Sequence, residues 1–443
     1  MRQQASILVG LLWCLALLSV VVIGVLHTAR MDLLVVKNYD DRIQAHYLAL
    51  AGVEKATALL YRDAHDRSRS RQNHNGNLYN DASQFRDVPL GHGIFRVLRR
   101  GRADEGGGII FGVSDEESRL NVNSATADEL GKLQGLTPDV AAAIVGWRGG
   151  DNTTVAAEAQ YYAGLQPPYQ PRNGPFQTVR ELLMVRGVTP DLLLGRDAHQ
   201  NGLLAVAGDQ DSALAGSVDA SDLGWAGVLT VDSSVKNVNA AGEDRVNIQS
   251  ADESALRDVQ GITPRIARAI VAYRGQHQFQ SIADLLDVTP PQNQNQSGTS
   301  DGSGDGDGGG AGNKVVGENL FMDIADDVTT DTGDSLSGAI NINTASLEVL
   351  VCLPGVSREL AQAIISQRQS AGFFASTGEL LKVPDLTRDI FGQIAPLITA
   401  RSETYRILCE GKINSSGARQ RIQAIVHVDL NSIRTLSWRE DDL

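Results

Sequence analysis

The run ILVGLLWCLALLSVVVIGVL, from Ile7 to Leu26, carries no charge and restricts this chain more than any other feature. A helix rising about 1.5 Å per residue over that length spans roughly 30 Å, the apolar thickness of a bilayer. A cleaved secretory signal has a shorter apolar core, about 7–15 residues, and then a small-residue cleavage site. Here the run passes into His27, Thr28 and Arg30 and on into more helix. The stretch RIQAHYLALAGVEKATALLYR places Ile43, Tyr47, Leu50, Val53 and Leu60 near one face. One helix is therefore expected over 6–62. It comprises a membrane span from Ile7 to Leu26 and an amphipathic part whose apolar face, Ile43 to Leu60, offers a seam to partner helices. Charge does not fix the orientation of the span: Arg2 lies on one side, and Arg30, Lys37 and Arg42 lie on the other.

Beyond a polar stretch, GIFRVLRR (Gly93 to Arg100) and GIIFGVSDEESRLNVN (Gly108 to Asn123) carry β-branched and aromatic residues between glycine breaks, as strands do. Strand character then disappears until YRILCEGKI (Tyr405 to Ile413), RQRIQAIVHVDL (Arg419 to Leu430) and IRTLSWRE (Ile433 to Glu440). NSSG and NS separate these three runs and read as turns. The pattern predicts an α+β fold in which one antiparallel sheet, in parts 93–123 and 404–443, is interrupted by a large helical insertion. The segment 290–314, rich in Gly, Asp, Asn and Ser, has almost nothing to bury and reads as a flexible linker. It divides the insertion into 124–289 and 338–401.

The insertion repeats itself. LNVNSATADELGKLQGLTP, VNIQSADESALRDVQGITP and ININTASLEVLVCLPGVSR begin at Leu120, Val246 and Ile340. Asn121, Asn247 and Asn341 align, as do Gly135, Gly261 and Gly355, then Arg148, Arg274 and Arg368. The apolar positions between them describe two short amphipathic helices joined at the glycine. Ser124, Ser250 and Thr344 are the expected N-caps of the first helix, and Ser250 with Glu253 has capping-box spacing. Each unit then continues with an aromatic and a further helix: FQTVRELLMV at Phe176, FQSIADLLDV at Phe279 and FASTGELLKV at Phe374. Thr178/Glu181, Ser281/Asp284 and Ser376/Glu379 again have capping-box spacing. Only the first unit inserts YYAGLQPPYQPRNGP before its Phe.

These units resemble the helix-hairpin-helix family, many of whose members hold nucleic-acid phosphates on a Gly-apolar-Gly turn. The second glycine is replaced here by Thr137, Thr263 and Ser357, which obstructs close backbone approach. The net charge of −14 also opposes general nucleic-acid binding. For Arg148, Arg274 and Arg368, phosphate contact competes with a plainer reading as cations near a helix C-terminus.

The whole arrangement resembles the type II secretion minor pseudopilins of the protein K family. RQQASILVGLLWCLALLSVVVIG, YLALAGVEKATALL, VSDEESRLNVN, the YYAGLQPPYQPRNGP region and the closing TLSWRE carry the resemblance. It implies a pilin-like sheet holding an inserted helical domain, which here carries three helix-hairpin-helix-like units. It implies a subunit at the tip of the pseudopilus, acting in assembly and in protein secretion across the outer membrane. The expected partners are other minor pseudopilins, the inner membrane and the prepilin peptidase, with no nucleic acid. The expected location is a single-pass inner-membrane anchor with the bulk of the chain in the periplasm. Alignment of the apolar run places cleavage between Ala5 and Ser6, leaving 1–5 as a leader. Gly10 stands where most pilins carry a glutamate, as fits protein K. Calcium is the one cofactor the resemblance allows, and it supplies no ligand set. DAHQNG (Asp197 to Gly202) has a faint calcium-loop pattern, outweighed by an ordinary polar turn.

The eight histidines are scattered, and no catalytic or metal constellation stands out, so no enzyme is expected. Cys14, Cys352 and Cys409 are too few for a disulfide framework, although one bridge, Cys352 to Cys409, is conceivable. The alternative function is a membrane-anchored helix-hairpin-helix receptor for DNA uptake.

Overall fold

The computed structural model describes residues 2–71, 73, 77–150, 152–197, 199, 223–290 and 314–440. Helix α1 (Arg2–Ser70) is continuous. It extends eight residues beyond the expected end, because 63–70 contain no Gly or Pro to stop it. Then come α2 (Ala82–Phe85), β1 (Val88–Leu90), β2 (Gly93–Arg100), β3 (Ile109–Phe111) and β4 (Ser114–Asp115).

Three units follow. The first is β5 (Leu120–Asn121), α3 (Ala127–Leu130), α4 (Pro138–Trp147), α5 (Asn152–Ala163), a 3-10 turn (Val179–Met184), α6 (Pro190–Leu194) and β6 (Leu229–Thr230), trailed by β7 (Ser234–Lys236). The second is β8 (Val246–Asn247), α7 (Glu253–Asp258), α8 (Pro264–Arg274), a 3-10 turn (Ile282–Asp287), α9 (Glu318–Ile324) and β9 (Val328–Thr329), trailed by β10 (Ser335–Ser337). The third is β11 (Ile340–Asn341), α10 (Leu347–Cys352), α11 (Arg358–Ala371), a 3-10 turn (Thr377–Lys382), α12 (Arg388–Ile394) and β12 (Ile398–Thr399). Strands β13 (Thr404–Ile413), β14 (Arg419–Val428) and β15 (Ile433–Arg439) complete the chain.

The main sheet has the order β1-β2-β13-β14-β15, with β3 on β2 and β4 on β13. All its pairings are antiparallel. This is the interrupted sheet read from the sequence, enlarged by β1; the expected run from Gly108 to Asn123 divides into β3 and β4, and its end, β5, leaves the main sheet to pair with β6. Strand structure also persists inside the insertion, contrary to expectation. The first and last strands of each unit pair in parallel: β5 with β6, β8 with β9, β11 with β12. Two-residue strands are too short to show alternation, so they leave no sequence signal. Helix α9 and strand β9, which follow the expected linker in sequence, complete the second unit, and residues 291–313 of that linker lie outside the described residues.

Two cores form. One lies between α1 and the sheet and holds Ala45, Ala49, Val53, Ala56 and Leu60 against Phe95, Val97, Ile407, Cys409, Ile422 and Ala424. The small residues let the helix lie close. A Cβ on Gly52 would stand 2.2 Å from Cys409 Sγ and 2.7 Å from the Phe95 ring. The other core runs unbroken through all three units. The aligned positions fill it: Leu130, Leu256 and Leu350, with Ile144, Ile270 and Ile364, are all fully buried. Cys352 belongs to this second core and Cys409 to the first, so both are free thiols and the conceivable bridge does not form. Burial pushes the Cys352 thiol up to about 12.

Candidate assembly surfaces and hairpin turns

Described side chains of α1 are exposed from Val9 to Asp40, and burial begins at Asp41. One helix of the described residues, Val9 to Ser70, is long and apolar enough to cross a membrane. The backbone of Ala5 and Ser6 lies in α1, but their side chains, and that of Ile7, fall outside the described residues. Leu26, the other end of the span, is exposed.

The predicted seam divides. Val53 and Leu60 are buried in the chain's own sheet core, and Leu50 packs against it. They are not open to a partner. A helix beside a sheet spends its apolar face on the sheet first, and periodicity alone does not say which neighbour takes it. What stays free is a ridge of residues four apart: Tyr39 (68% exposed), Ile43 (38%) and Tyr47 (62%). Below it Met31, Leu33, Leu34, Val35 and Val36 are exposed as well, beyond the charge-free run.

The acidic triplet Asp115-Glu116-Glu117 of VSDEESRLNVN is almost wholly buried where the sheet meets the insertion. Asp115 accepts hydrogen bonds from Asn341 Nδ2 (2.9 Å), Ser402 Oγ (2.5 Å) and the Thr344 hydroxyl. Glu116 pairs with Arg406 through Nε (2.7 Å) and Nη2 (3.1 Å) and accepts from Thr230 Oγ1 (2.5 Å). Glu117 accepts from the backbone N–H of Ser234 (3.2 Å) and Thr404 (3.1 Å). Three consecutive acids thus bind the third unit, the first unit and two strands. Burial pushes the Glu116 carboxyl up, but the charges of Arg406 and Arg119 and the Thr230 hydroxyl outweigh it and hold it below its usual range. For Glu117, burial and then the Asp115 carboxylate push it well above that range. Sequence reasoning assigned these acids no role, since a run of acids is ordinarily a solvated surface.

The hairpin turns follow one plan. Gly135, Gly261 and Gly355 have φ of 78°, 100° and 70°, the left-handed conformation glycine permits. The residues that replace the second glycine cap the next helix. Thr137, Thr263 and Ser357 accept from the N–H of Val140, Ile266 and Leu360 at 3.4, 3.4 and 3.2 Å. The unit's last helix covers each turn. A Cβ on the glycine would meet Leu192 at 3.6 Å, Leu320 at 2.8 Å or Ile390 at 3.3 Å. A phosphate approaching the turn would meet that helix.

The repeated arginines are neither phosphate contacts nor simple dipole partners. Arg148 donates to the carbonyls of Val122 and Ala125 (2.5 Å to the latter), Arg274 to Ala251 (2.5 Å) and Ile248 (3.4 Å), and Arg368 to Ile342 (2.9 Å) and Asp104 (2.9 Å). Each closes the entry of its own unit.

The N-caps sit two residues later than expected, on Thr126, Asp252 and Ser346. Asn121, Asn247 and Asn341 use their side chains to accept the N–H two residues on, at 2.8, 2.8 and 2.9 Å, and this Asx turn delays the helix. Thr126 forms a capping box with Glu129, while Ser250 with Glu253 does not. Of the three later boxes, Ser281 with Asp284 closes. Thr178 and Ser376 make no side-chain cap bond.

Two repeated signals went unread. Asn123, Gln249 and Asn343 accept from the N–H of Phe176, Phe279 and Phe374 at 2.7, 3.0 and 2.7 Å. The closing strands read Leu229-Thr230, Val328-Thr329 and Ile398-Thr399, whose threonine hydroxyls accept the N–H two residues on. Unequal loops hide this last alignment.

Among the described residues no group of three or more His, Cys, Asp and Glu is placed to hold a metal ion. Of DAHQNG, only Asp197 and His199 lie among them.

Residues 114–195, which begin at the acidic junction and run through the first unit, match the family described as type II secretion system protein K. A type II secretion system protein K domain accounts for this part of the chain. Residues 242–290 and 337–399, in the second and third units, match the helix-hairpin-helix motif. A solved GspK-GspI-GspJ complex from the type 2 secretion system of enterotoxigenic Escherichia coli contains a chain similar to this one, with a TM-score of 0.45 and 12% identity over 91% of this chain and 98% of that one. Curated relatives include endonuclease/exonuclease/phosphatase family domain-containing protein 1 of Mus musculus, 25% identical over 156 residues, and of Xenopus laevis, 27% identical over 154. Each match takes in 34% of this chain, which spans only 27% and 26% of those relatives.

Proposed function

We propose that this chain is a minor pseudopilin of the protein K type and stands at the tip of the pseudopilus. There it takes part in assembling the pseudopilus and in secreting proteins across the outer membrane. It is held in the inner membrane by Ile7 to Leu26, with the rest of the chain in the periplasm. The prepilin peptidase cuts it after Ala5, leaving Ser6 first. The N-terminal helices of smaller pseudopilins pack on the ridge of Tyr39, Ile43 and Tyr47.

The observation that carries this reading is the placement of the insertion across the end of α1 remote from the apolar run. Ser68 donates to the carbonyl of Ala241 (2.6 Å), and Asn73 Nδ2, just beyond α1, donates to that of Ala375 (2.9 Å). A subunit stacked further from the membrane would collide with the insertion. Gly10 supports the same reading. It offers no carboxylate to a neighbour's amine, and such a carboxylate within the bilayer is costly when unpaired. Calcium remains an expectation of the family, without ligands assigned in this chain.

The test is Ile43→Asp with Tyr47→Asp. Both side chains lie outside the sheet core, so the protein should fold and reach the membrane. It should no longer co-purify with smaller pseudopilins, and secretion should stop. Normal secretion with the partners retained would sink the proposal.

A further inference from the structure

Strand β15 ends the sheet and, among the described residues, pairs only with β14. Native edge strands are usually short, charged or covered. This one runs for seven residues with Ile433 46%, Leu436 44% and Trp438 39% exposed. Ile433 lies opposite Val428 and Trp438 opposite Ala424, and both partners belong to the core facing α1. Ile433 and Trp438 therefore stand on the helix side of the sheet. The register shifts between Ile425 and Val426, leaving Leu436 as the extra residue of a bulge.

The strand also connects to the ridge on α1. Trp438 Nε1 donates to Glu440 Oε1 (2.6 Å), and Glu440 Oε2 lies 3.9 Å from His46 Nδ1, next to Tyr47. An apolar strip so runs from Tyr39 through Ile43 and Tyr47 to Trp438, Leu436 and Ile433. From His46 the strand reaches roughly 23 Å along the sheet at about 3.3 Å per residue. A neighbour rooted in the same bilayer, with its helix on the ridge, would raise its globular head at this level. The first surface that head meets is β15.

We infer that β15 is the second half of the partner interface: it receives the globular head of the smaller pseudopilin whose helix occupies the ridge, with Trp438 as the anchor. A buried Trp at the centre of a contact is the residue type that most often dominates its energy. This inference rests on the helix reading above, and the test separates the two. Leu436→Cys is placed in a full-length Cys14→Ser background, where Cys352 and Cys409 are buried. A membrane-impermeant maleimide is applied with and without the smaller pseudopilins of the same system. Labelling is expected without them and lost with them. Unchanged labelling beside co-purifying partners overturns the inference. Protection in their absence overturns it too, in favour of a second copy of this chain. Trp438→Ala should weaken co-purification about thirtyfold, whereas Leu90→Ala on β1, at the opposite edge, should not. If Ile43→Asp with Tyr47→Asp abolishes co-purification while Leu436→Cys stays labelled in the wild-type complex, the helix reading stands and β15 falls. If that double variant keeps its partners, the helix reading fails, and protection of Leu436→Cys alone then upholds or rejects the β15 contact.

Discussion

Gly52→Ala sets two physical effects against each other. In the middle of α1, alanine should stabilise the helix by about 0.5–1 kcal/mol, because it restricts the unfolded chain. The new methyl, however, enters a packed core. It would lie 2.2 Å from Cys409 Sγ and 2.7 Å from Phe95 Cδ2, where ordinary contact needs more than 3.4 Å. Cys409 sits on a central strand and is fully buried, as Phe95 nearly is, so neither can swing aside. Overpacking of this kind costs about 1–3 kcal/mol, and two contacts this short put it at the upper end. The net expectation is a loss of about 2 kcal/mol. The assay is urea unfolding of the detergent-solubilised protein, followed by a probe in the sheet. Adding Cys409→Ala removes the Sγ and should restore part of the loss, with Phe95 left to account for the rest. A Gly52→Ala variant as stable as the parent, or more so, would refute the close-packed helix on which the division of the seam depends.

Arg148→Met should destabilise the first unit by about 2–4 kcal/mol, since two carbonyls lose a charged donor; a thermal melt measures it, and a phosphate-binding role would predict little change. The chain should bind duplex DNA no more tightly than the micromolar range of non-specific binders at roughly 150 mM salt, and nanomolar, salt-sensitive binding in a titration would contradict the covered turns. Asp232 gives a pH test. Burial, then the Glu116 carboxylate, raises it to about 6. An acid raised on folding contributes stability below its unfolded value, and that contribution is lost as the pH rises through the folded one. Asp232→Asn should therefore be more stable than the parent above pH 6, by about 1 kcal/mol once partial exposure is discounted, with the difference vanishing near pH 4. Equal pH profiles in urea melts would exclude it.

How far the fold was legible depended on whether a residue's neighbours lie near it in sequence. Leu130, Ile144 and their repeats announced themselves by helical spacing and are all buried. The sheet announced itself through strands long enough to alternate. The seam did not divide correctly, because Val53 and Tyr47 differ only in which neighbour faces them. The N-caps slipped by two residues because the side-chain turn at Asn121, Asn247 and Asn341 competes with helix initiation, and Ser124 or Ser250 alone does not reveal it.

The junction was the least legible feature and the most instructive. Asp115, Glu116 and Glu117 would each be costly in a dry interior without partners. Their partners, at Thr230, Asn341, Ser402 and Arg406, lie more than a hundred residues away. Nothing within the triplet could signal that it is satisfied. Once it is, the acids act as a lock. Moving the insertion relative to the sheet would break several charge-assisted bonds together and leave buried carboxylates unpaired. The helical units are thereby held in one orientation over the end of α1.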